Sequence, residues 1–213
     1  MALFQKQPSF NDSQTLYSIG LNRTLLIVGL GNIGKEFNDT RHNIGFEAVD
    51  ALVKSRDEFN GWQDKKNLKS HLSLGQFADT RIIVIKPTTL MNLSGDAVEA
   101  VANFYKVSPS QMLIVHDELD VNFGQIRSRH GGGSAGHNGI KSIIDKLGDN
   151  FSRIRIGIGP KSPEQMDSAD FVLAKFKKSE IDKLNELKKE VVAIMIEFIF
   201  SSEVNQETRT FLI

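Results

Sequence analysis

The sequence predicts an α/β fold: a single domain built on a twisted, mixed β-sheet with helices covering both faces. Three observations carry that expectation. Short runs rich in Val, Ile and Leu (24–30, 81–86, 112–115, 153–158) interleave with segments whose apolar residues recur at helical spacing (41–56, 94–105, 138–147, 179–200), and such alternation builds sheets covered by helices. Several of the apolar runs end in glycine or in Asn and His, the residue types that open α/β sheets present at one edge. The chain has 213 residues, ample for one sizeable core, with no repeat, low-complexity run or inter-domain linker. Residues 1–22 are polar and rich in Ser, Asn and Gln; they read as a mobile extension ahead of a folded domain at 23–213.

The elements follow in order. The first strand, 24–30, stops in Gly29-Leu30-Gly31, and Asn38-Asp39-Thr40 then supplies turn and N-cap residues. Ile44, Ala48, Val49, Leu52 and Val53 fall at helical spacing, so a helix begins near residue 41. Gly29-x-Gly31-x-x-Gly34, with Asp50 following, matches the dinucleotide fingerprint. In a dinucleotide site, however, the helix starts within the glycines and the acid ends the next strand. Here Asp50 falls inside the helix, and a lone glycine fingerprint is a weak signal. Beyond a polar connection, extended runs at 69–77 and 81–86 flank the turn Ala78-Asp79-Thr80. A loop at 87–92 leads to the helix 94–105, closed by Val107-Ser108-Pro109. The strand 112–115 delivers His116-Asp117-Glu118-Leu119-Asp120. An extended run at 125–129, a glycine loop at 131–136, a helix at 138–147, a strand at 153–158 and a closing helix at 179–200 complete the pattern.

Composition excludes several classes. Lys+Arg equals Asp+Glu at 26 each, so global charge selects neither nucleic acid nor an acidic membrane. With no cysteine there is no disulfide, thiol catalysis or Cys-ligated metal. The longest apolar run, 191–200, is interrupted by Glu197 and too short to span a bilayer. With no signal-like segment, a cytoplasmic location without membrane partners is expected.

Four segments bring reactive residue types to strand ends: Asn32 with His42, Met91-Asn92, His116-Asp117, and the glycine loop with His137-Asn138. Singly, an Asn in a turn supports backbone geometry and a His near a helix start is an ordinary satisfied residue. Together, three carboxamides beside a His–Asp couple suit the grip of an amide or ester backbone. Asp117 can fix the tautomer that an imidazole needs as a general base. Competing chemistries fit less well. Gly132-Gly-Ser134-Ala-Gly136 has nucleophile-elbow spacing, yet the last histidine is His137, three residues on, and the preceding segment is too polar for a buried strand. The loop 131–136 has phosphate-loop spacing, but His137-Asn138 stands where Lys and Ser/Thr are required. His42, His116, Asp117, Asp120 and His137 are possible metal ligands, without an H-E-x-x-H motif and with His116 and Asp117 on opposite faces of a strand. No metal and no cofactor is expected.

The segments G29-L-G-N-I-G, T40-R-H-N-I-G, K86-P-T-T-L-M-N-L-S-G, H116-D-E-L-D, G131-G-G-S-A-G-H-N-G and R153-I-R-I-G-I-G resemble, in order, those of the bacterial peptidyl-tRNA hydrolase family across 24 to about 200. The resemblance implies a monomeric, metal-free esterase of mixed-sheet α/β fold. Such an enzyme cleaves the ester at the terminal ribose of peptidyl-tRNA and returns tRNA to translation, a form of ribosome rescue. By the same resemblance His42 is the catalytic base, Asp117 the carboxylate that orients it, and Asn32 the holder of water or oxyanion. Asn92 and Asn138 bind peptide backbone, Met91 packs beneath it, and His137 and Phe37 line the groove. Arg129 and Arg155 grip the tRNA's 5′-phosphate. Ile33 replaces a frequent Pro, Phe37 replaces an aromatic that commonly bears a hydroxyl, and Val121-Asn122-Phe123 replaces a proline-rich turn. The non-enzymatic alternative, an RNA-binding relative without activity, is disfavoured by intact His42, Asn32 and Asp117. Local charge agrees with a polyanionic partner: from 121 to 161 there are seven Lys/Arg (127, 129, 141, 146, 153, 155, 161) and two Asp (145, 149).

Overall fold

A computed structural model describes residues 23–211; the extension expected over 1–22 lies outside the described residues. The elements are β1 (Arg23–Gly29), α1 (Ile44–Lys54), β2 (Gln63–Lys65), β3 (Ser70–Phe77), β4 (Thr80–Pro87), α2 (Ser94–Tyr105), β5 (Met112–Asn122), β6 (Gln125–His130), α3 (Asn138–Leu147), β7 (Ser152–Gly159), α4 (Ser168–Leu173), α5 (Lys178–Ser201) and β8 (Glu207–Thr210). The strands form one mixed sheet in the order β2-β3-β4-β1-β5-β7-β6-β8. Its centre, β4-β1-β5-β7, is parallel, and the strands outside it pair antiparallel.

Strand alternation sorts the core into two layers. Leu25 and Ile27 of β1 pack with Val84, Val115, Ile154 and Ile156 against α1 and α5. Leu26 and Val28 pack with Ile83, Ile85 and Ile114 against α2 and α3. Burial on both sides explains why β1 reads as an unbroken apolar run, and each fully buried side chain contributes about 1.5–3 kcal/mol. The helices of the second layer lie very close together. A Cβ on Gly95 of α2 would run into the backbone carbonyl of Ser142 in α3, and the Gly95 N–H donates to Ser142 Oγ at 2.9 Å. This contact locks the start of α2 against the middle of α3.

Two sequence expectations need amendment. The strand expected at 112–115 continues as β5 to Asn122, pairing His116 with Arg155 and Asp117 with Ile156 of β7. Polar residues stay extended and buried there because each finds a partner: Asp117 the imidazoles, and Glu118 the Arg155 guanidinium at 2.9 Å. The short elements β2, α4 and β8 were not expected. Gln63–Lys65 and Glu207–Thr210 are polar edge strands whose existence depends on a neighbour's register. Asp50 does lie within α1, where it pairs with Lys86 at 2.6 Å, unlike an acid that ends a strand in a dinucleotide site.

Candidate active site

The parallel strands β1, β4 and β5 present their carboxyl ends to one edge, where ligand crevices of open α/β sheets lie. His42 sits there on a 3-10 turn, Arg41–Asn43, held from both sides. Arg41 is buried, pairs with Glu180 at 2.6 Å, donates to the carbonyls of Ala174 and Lys175, and lies over the rings of Phe171 and Phe176 at 4.6 and 5.1 Å. On the other side, buried Asn43 donates through Nδ2 to the Asn32 carbonyl at 3.0 Å and accepts the Asn32 N–H at 2.8 Å. Neither role was legible beforehand, although both residues flank His42 in the chain.

Asn32 is thereby fixed in backbone and side chain. Its Oδ1 accepts the Met91 N–H at 2.9 Å, so by its hydrogen-bonding partners the carboxamide is oriented oxygen toward Met91. The NH2 group of Asn32 remains as a donor.

Two imidazoles meet the Asp117 carboxylate, and a third packs against one of them. His42 Nδ1 lies 2.9 and 3.0 Å from the two Asp117 oxygens, and His137 Nε2 lies 3.0 Å from Oδ1. An ionised carboxylate only accepts, so both ring nitrogens donate. His137 has no other choice of tautomer. It is the N-cap of α3, and its Nδ1 accepts the N–H groups of Gly139 and Ile140 at 3.1 and 3.3 Å. Its proton therefore sits on Nε2, facing Asp117. His116 alternates onto the other face of β5 from Asp117, with its ring 4.7 Å from that of His137. Its Nδ1 donates to the Asp117 carbonyl at 2.7 Å, and its buried Nε2 has no partner. Burial, helped by His137, holds the His116 imidazole well below its ordinary value, so it is neutral. For Asp117 burial is the largest influence and raises the carboxyl, but the electrostatic attraction and hydrogen bonds of the two ring N–H groups of His42 and His137 together outweigh it and hold Asp117 well below the usual carboxylate range. His42 keeps Nε2 clear of these bonds, with 12% of its side chain exposed.

The other sequence candidates lie in separate places. Met91 is buried on the turn Met91–Leu93 behind Asn32, while Asn92 and Asn138 are exposed beside it, at that turn and at the start of α3. Phe37 is half-buried in a separate turn, Lys35–Phe37, with its carbonyl accepting from Thr40; among the described residues no ring contact joins it to the imidazoles. Asp120 is exposed on β5, apart from the cluster. His42, Asp117 and His137 do present ligand atoms within 4.8 Å of one another.

Farther along the sheet, Arg127 lies opposite Arg155 and Arg129 opposite Arg153 on the antiparallel pair β6–β7. Directly opposed residues share a face, so four arginines occupy one face, and Arg129 and Arg155 are diagonal neighbours. Arg155 bonds Glu118 through Nε. Arg153, read in the sequence only as part of the local basic charge, is buried over Phe151 and donates to the carbonyls of Gly132 and Gly133, anchoring the glycine loop. Burial first, then the charges of Arg129 and Arg155, lower it to about 10.

A family model described as peptidyl-tRNA hydrolase matches residues 26–212. A peptidyl-tRNA hydrolase of Campylobacter hominis is 43% identical over 188 residues, 88% of this chain and 79% of that protein. One of Clostridium botulinum is 41% identical over 187 residues, 87% of this chain and 94% of that protein. Among solved structures, the peptidyl-tRNA hydrolase of Acinetobacter baumannii superposes with a TM-score of 0.76 at 35% identity, covering 84% of this chain and 89% of that one.

Proposed function

Because the chain belongs to the peptidyl-tRNA hydrolase family and cleaves the ester that joins peptide to tRNA, we propose that its His42 is the general base of that reaction and Asp117 its orienting partner. The carrying observation is that Asp117 accepts from both His42 Nδ1 and His137 Nε2. With its proton held on Nδ1, His42 offers a bare Nε2 to water. Water gives its proton to Nε2 as it attacks the ester carbonyl. The developing oxyanion takes a hydrogen bond from the Asn32 NH2 group, which is already aimed because Oδ1 is tied to Met91. Collapse expels the ribose oxygen, and His42 Nε2 returns the proton to it. Asp117 stays ionised and offsets the imidazolium while it lasts.

Asn92 and Asn138, both exposed, bind the first peptide amide, so a free aminoacyl-tRNA leaves them unpaired and is spared. Arg129 and Arg155 grip a tRNA phosphate. Catalysis is metal-independent in this reading. A metal on His137 Nε2 would move the ring proton to Nδ1, where the Gly139 and Ile140 N–H groups already point. The enzyme acts as a cytoplasmic monomer on its tRNA substrate. No described helix is long and apolar enough to cross a membrane.

The test is hydrolysis of N-acetyl-aminoacyl-tRNA by the native chain and by His42→Ala, with and without chelator. Native activity should survive the chelator, and the variant should lose about 10²–10⁴ in rate. Activity that the chelator abolishes, or that His42→Ala retains, overturns the assignment.

A further inference from the structure

Few large apolar side chains are exposed, and three of the seven among the described residues stand within two residues of Asn32 or of Met91, whose N–H bonds the Asn32 side chain. They are Ile33 at 43%, Leu90 at 59% and Leu93 at 46% exposure. They come from two segments that are distant in sequence but pinned together. The hydrogen bond from the Met91 N–H to Asn32 Oδ1, 2.9 Å, puts Ile33 and Leu90 each one residue from a bonded partner. The Leu93 N–H to Leu90 carbonyl bond, 2.8 Å, closes the turn that carries the other two. Neither segment, 30–33 or 88–94, contains a charged residue. The exposed apolar groups are interleaved with Asn32 and Asn92, which carry amide hydrogen-bonding groups. A surface of that kind matches a peptide whose backbone is polar and whose side chain is not. Exposed apolar area beside a polar catalytic group is left wet in the free enzyme, and a substrate side chain laid on it removes that area from water.

We propose that Ile33, Leu90 and Leu93 form an apolar lip that receives the side chain of the residue esterified to the tRNA, favouring apolar over acidic residues at that position. The inference rests on the assignment of Asn32 as the oxyanion donor. The donor fixes the reacting carbonyl, and the side chain in question branches from the adjacent carbon, next to Ile33 and Leu90. The lip contributes to rate through substrate-side contacts, so it changes ratios between substrates and leaves the chemistry of the ester alone.

A single tRNA body acylated with N-acetyl-leucine, N-acetyl-glycine or N-acetyl-aspartate tests this, with kcat/KM for each divided by the rate of hydroxide hydrolysis of the same ester. The corrected leucyl rate should exceed the aspartyl rate by roughly 10-fold, with glycyl between them, the size a modest apolar pocket supplies. In the double variant Ile33→Asn, Leu90→Gln the leucyl advantage over glycyl should collapse, while Leu90→Met should retain it. Two results overturn the lip: corrected rates that are equal in the native enzyme, or a leucyl-to-glycyl ratio that the double variant leaves unchanged while both rates fall together, as a purely structural role requires. The catalytic reading governs the rate on every ester and the lip governs only their ratio. A rate indifferent to His42→Ala therefore sinks the former, and an unchanged ratio the latter.

Discussion

Replacing Asp117 by Asn exchanges one acceptor oxygen for an amide donor at nearly constant volume. In the native site Oδ1 accepts from His42 and His137, and Oδ2 lies 3.0 Å from His42 Nδ1. His137 cannot shift its proton without opposing the α3 cap, so the Asn oxygen stays at the Oδ1 position. The new NH2 then takes the Oδ2 position, 3.0 Å from His42 Nδ1 and donor against donor, while the oxygen at Oδ1 must serve His137 as well. His42 relieves the conflict by carrying its proton on Nε2, the atom that must be bare to receive water's proton. Hydrogen bonds to charged groups contribute about 1.5–3 kcal/mol each. His42 has a single Nδ1–H shared between the two carboxylate oxygens, so losing it costs about 1.5–3 kcal/mol when the ring is an imidazolium, or about 10–10² in kcat. KM should stay within about 2-fold, because the interaction matters only as charge develops. The assay is steady-state hydrolysis of N-acetyl-aminoacyl-tRNA beside thermal unfolding of the same samples. A variant that melts like the native chain yet keeps more than roughly a third of its kcat would refute the idea that Asp117 sets the His42 tautomer.

Other perturbations follow from the same geometry. Asn43→Ala leaves the buried N–H and carbonyl of Asn32 unpaired; it should lower stability by about 2–4 kcal/mol and reduce kcat without touching substrate, read by melting and by kinetics on one preparation. Asn92→Ala or Asn138→Ala should narrow the preference for N-acylated over free aminoacyl-tRNA, since each unmade amide contact is worth about 1–3 kcal/mol; an unchanged ratio in both would make the carboxamides structural. Arg129→Ala should raise KM for peptidyl-tRNA with little change in kcat and flatten the salt dependence by about one phosphate contact. Arg155→Ala should do the same and also destabilise the fold, because buried Glu118 loses its charged partner; a small ester without the tRNA body should not distinguish Arg129→Ala from the native enzyme. The Asp117 carboxyl is held well below its ordinary value in the folded state, so the stability it contributes is present above the unfolded value and lost as pH falls toward the folded one. The melting advantage of the native chain over Asp117→Asn should be full at pH 5 and shrink below about pH 4.

Much of this architecture is written locally. The helix α2 begins and ends where its spacing and the following Ser-Pro place it, and β1 announces itself because both its faces are buried. The extension of β5 through His116-Asp117-Glu118 was hidden because a polar run looks like a loop until its partners arrive from His42, His137 and Arg155, 75, 20 and 37 residues away. Short polar strands such as β8 carry no period of their own and exist through pairing with β6. At the site, the motif residues His42, Asn32, Asp117 and His137 could be picked out by chemical type. What they do to one another could not, because proton positions follow from backbone donors. Asn43 shows the limit most plainly: it stands beside His42 in the chain, yet its carboxamide turns back eleven residues to clamp Asn32.

The placement of His137 ties reactivity to the integrity of one short helix. The two backbone N–H groups that this ring accepts belong to the first turn of α3, the part of a helix most prone to fray. Each opening of that turn frees the ring to exchange its proton between nitrogens and to abandon Asp117. Warming, mild denaturant or a loosened α2–α3 contact at Gly95 should therefore dim the enzyme while its sheet is still intact. The helix start behaves as a fuse: amide exchange at Gly139 and Ile140 should accelerate in step with the loss of turnover, well before the core strands lose protection.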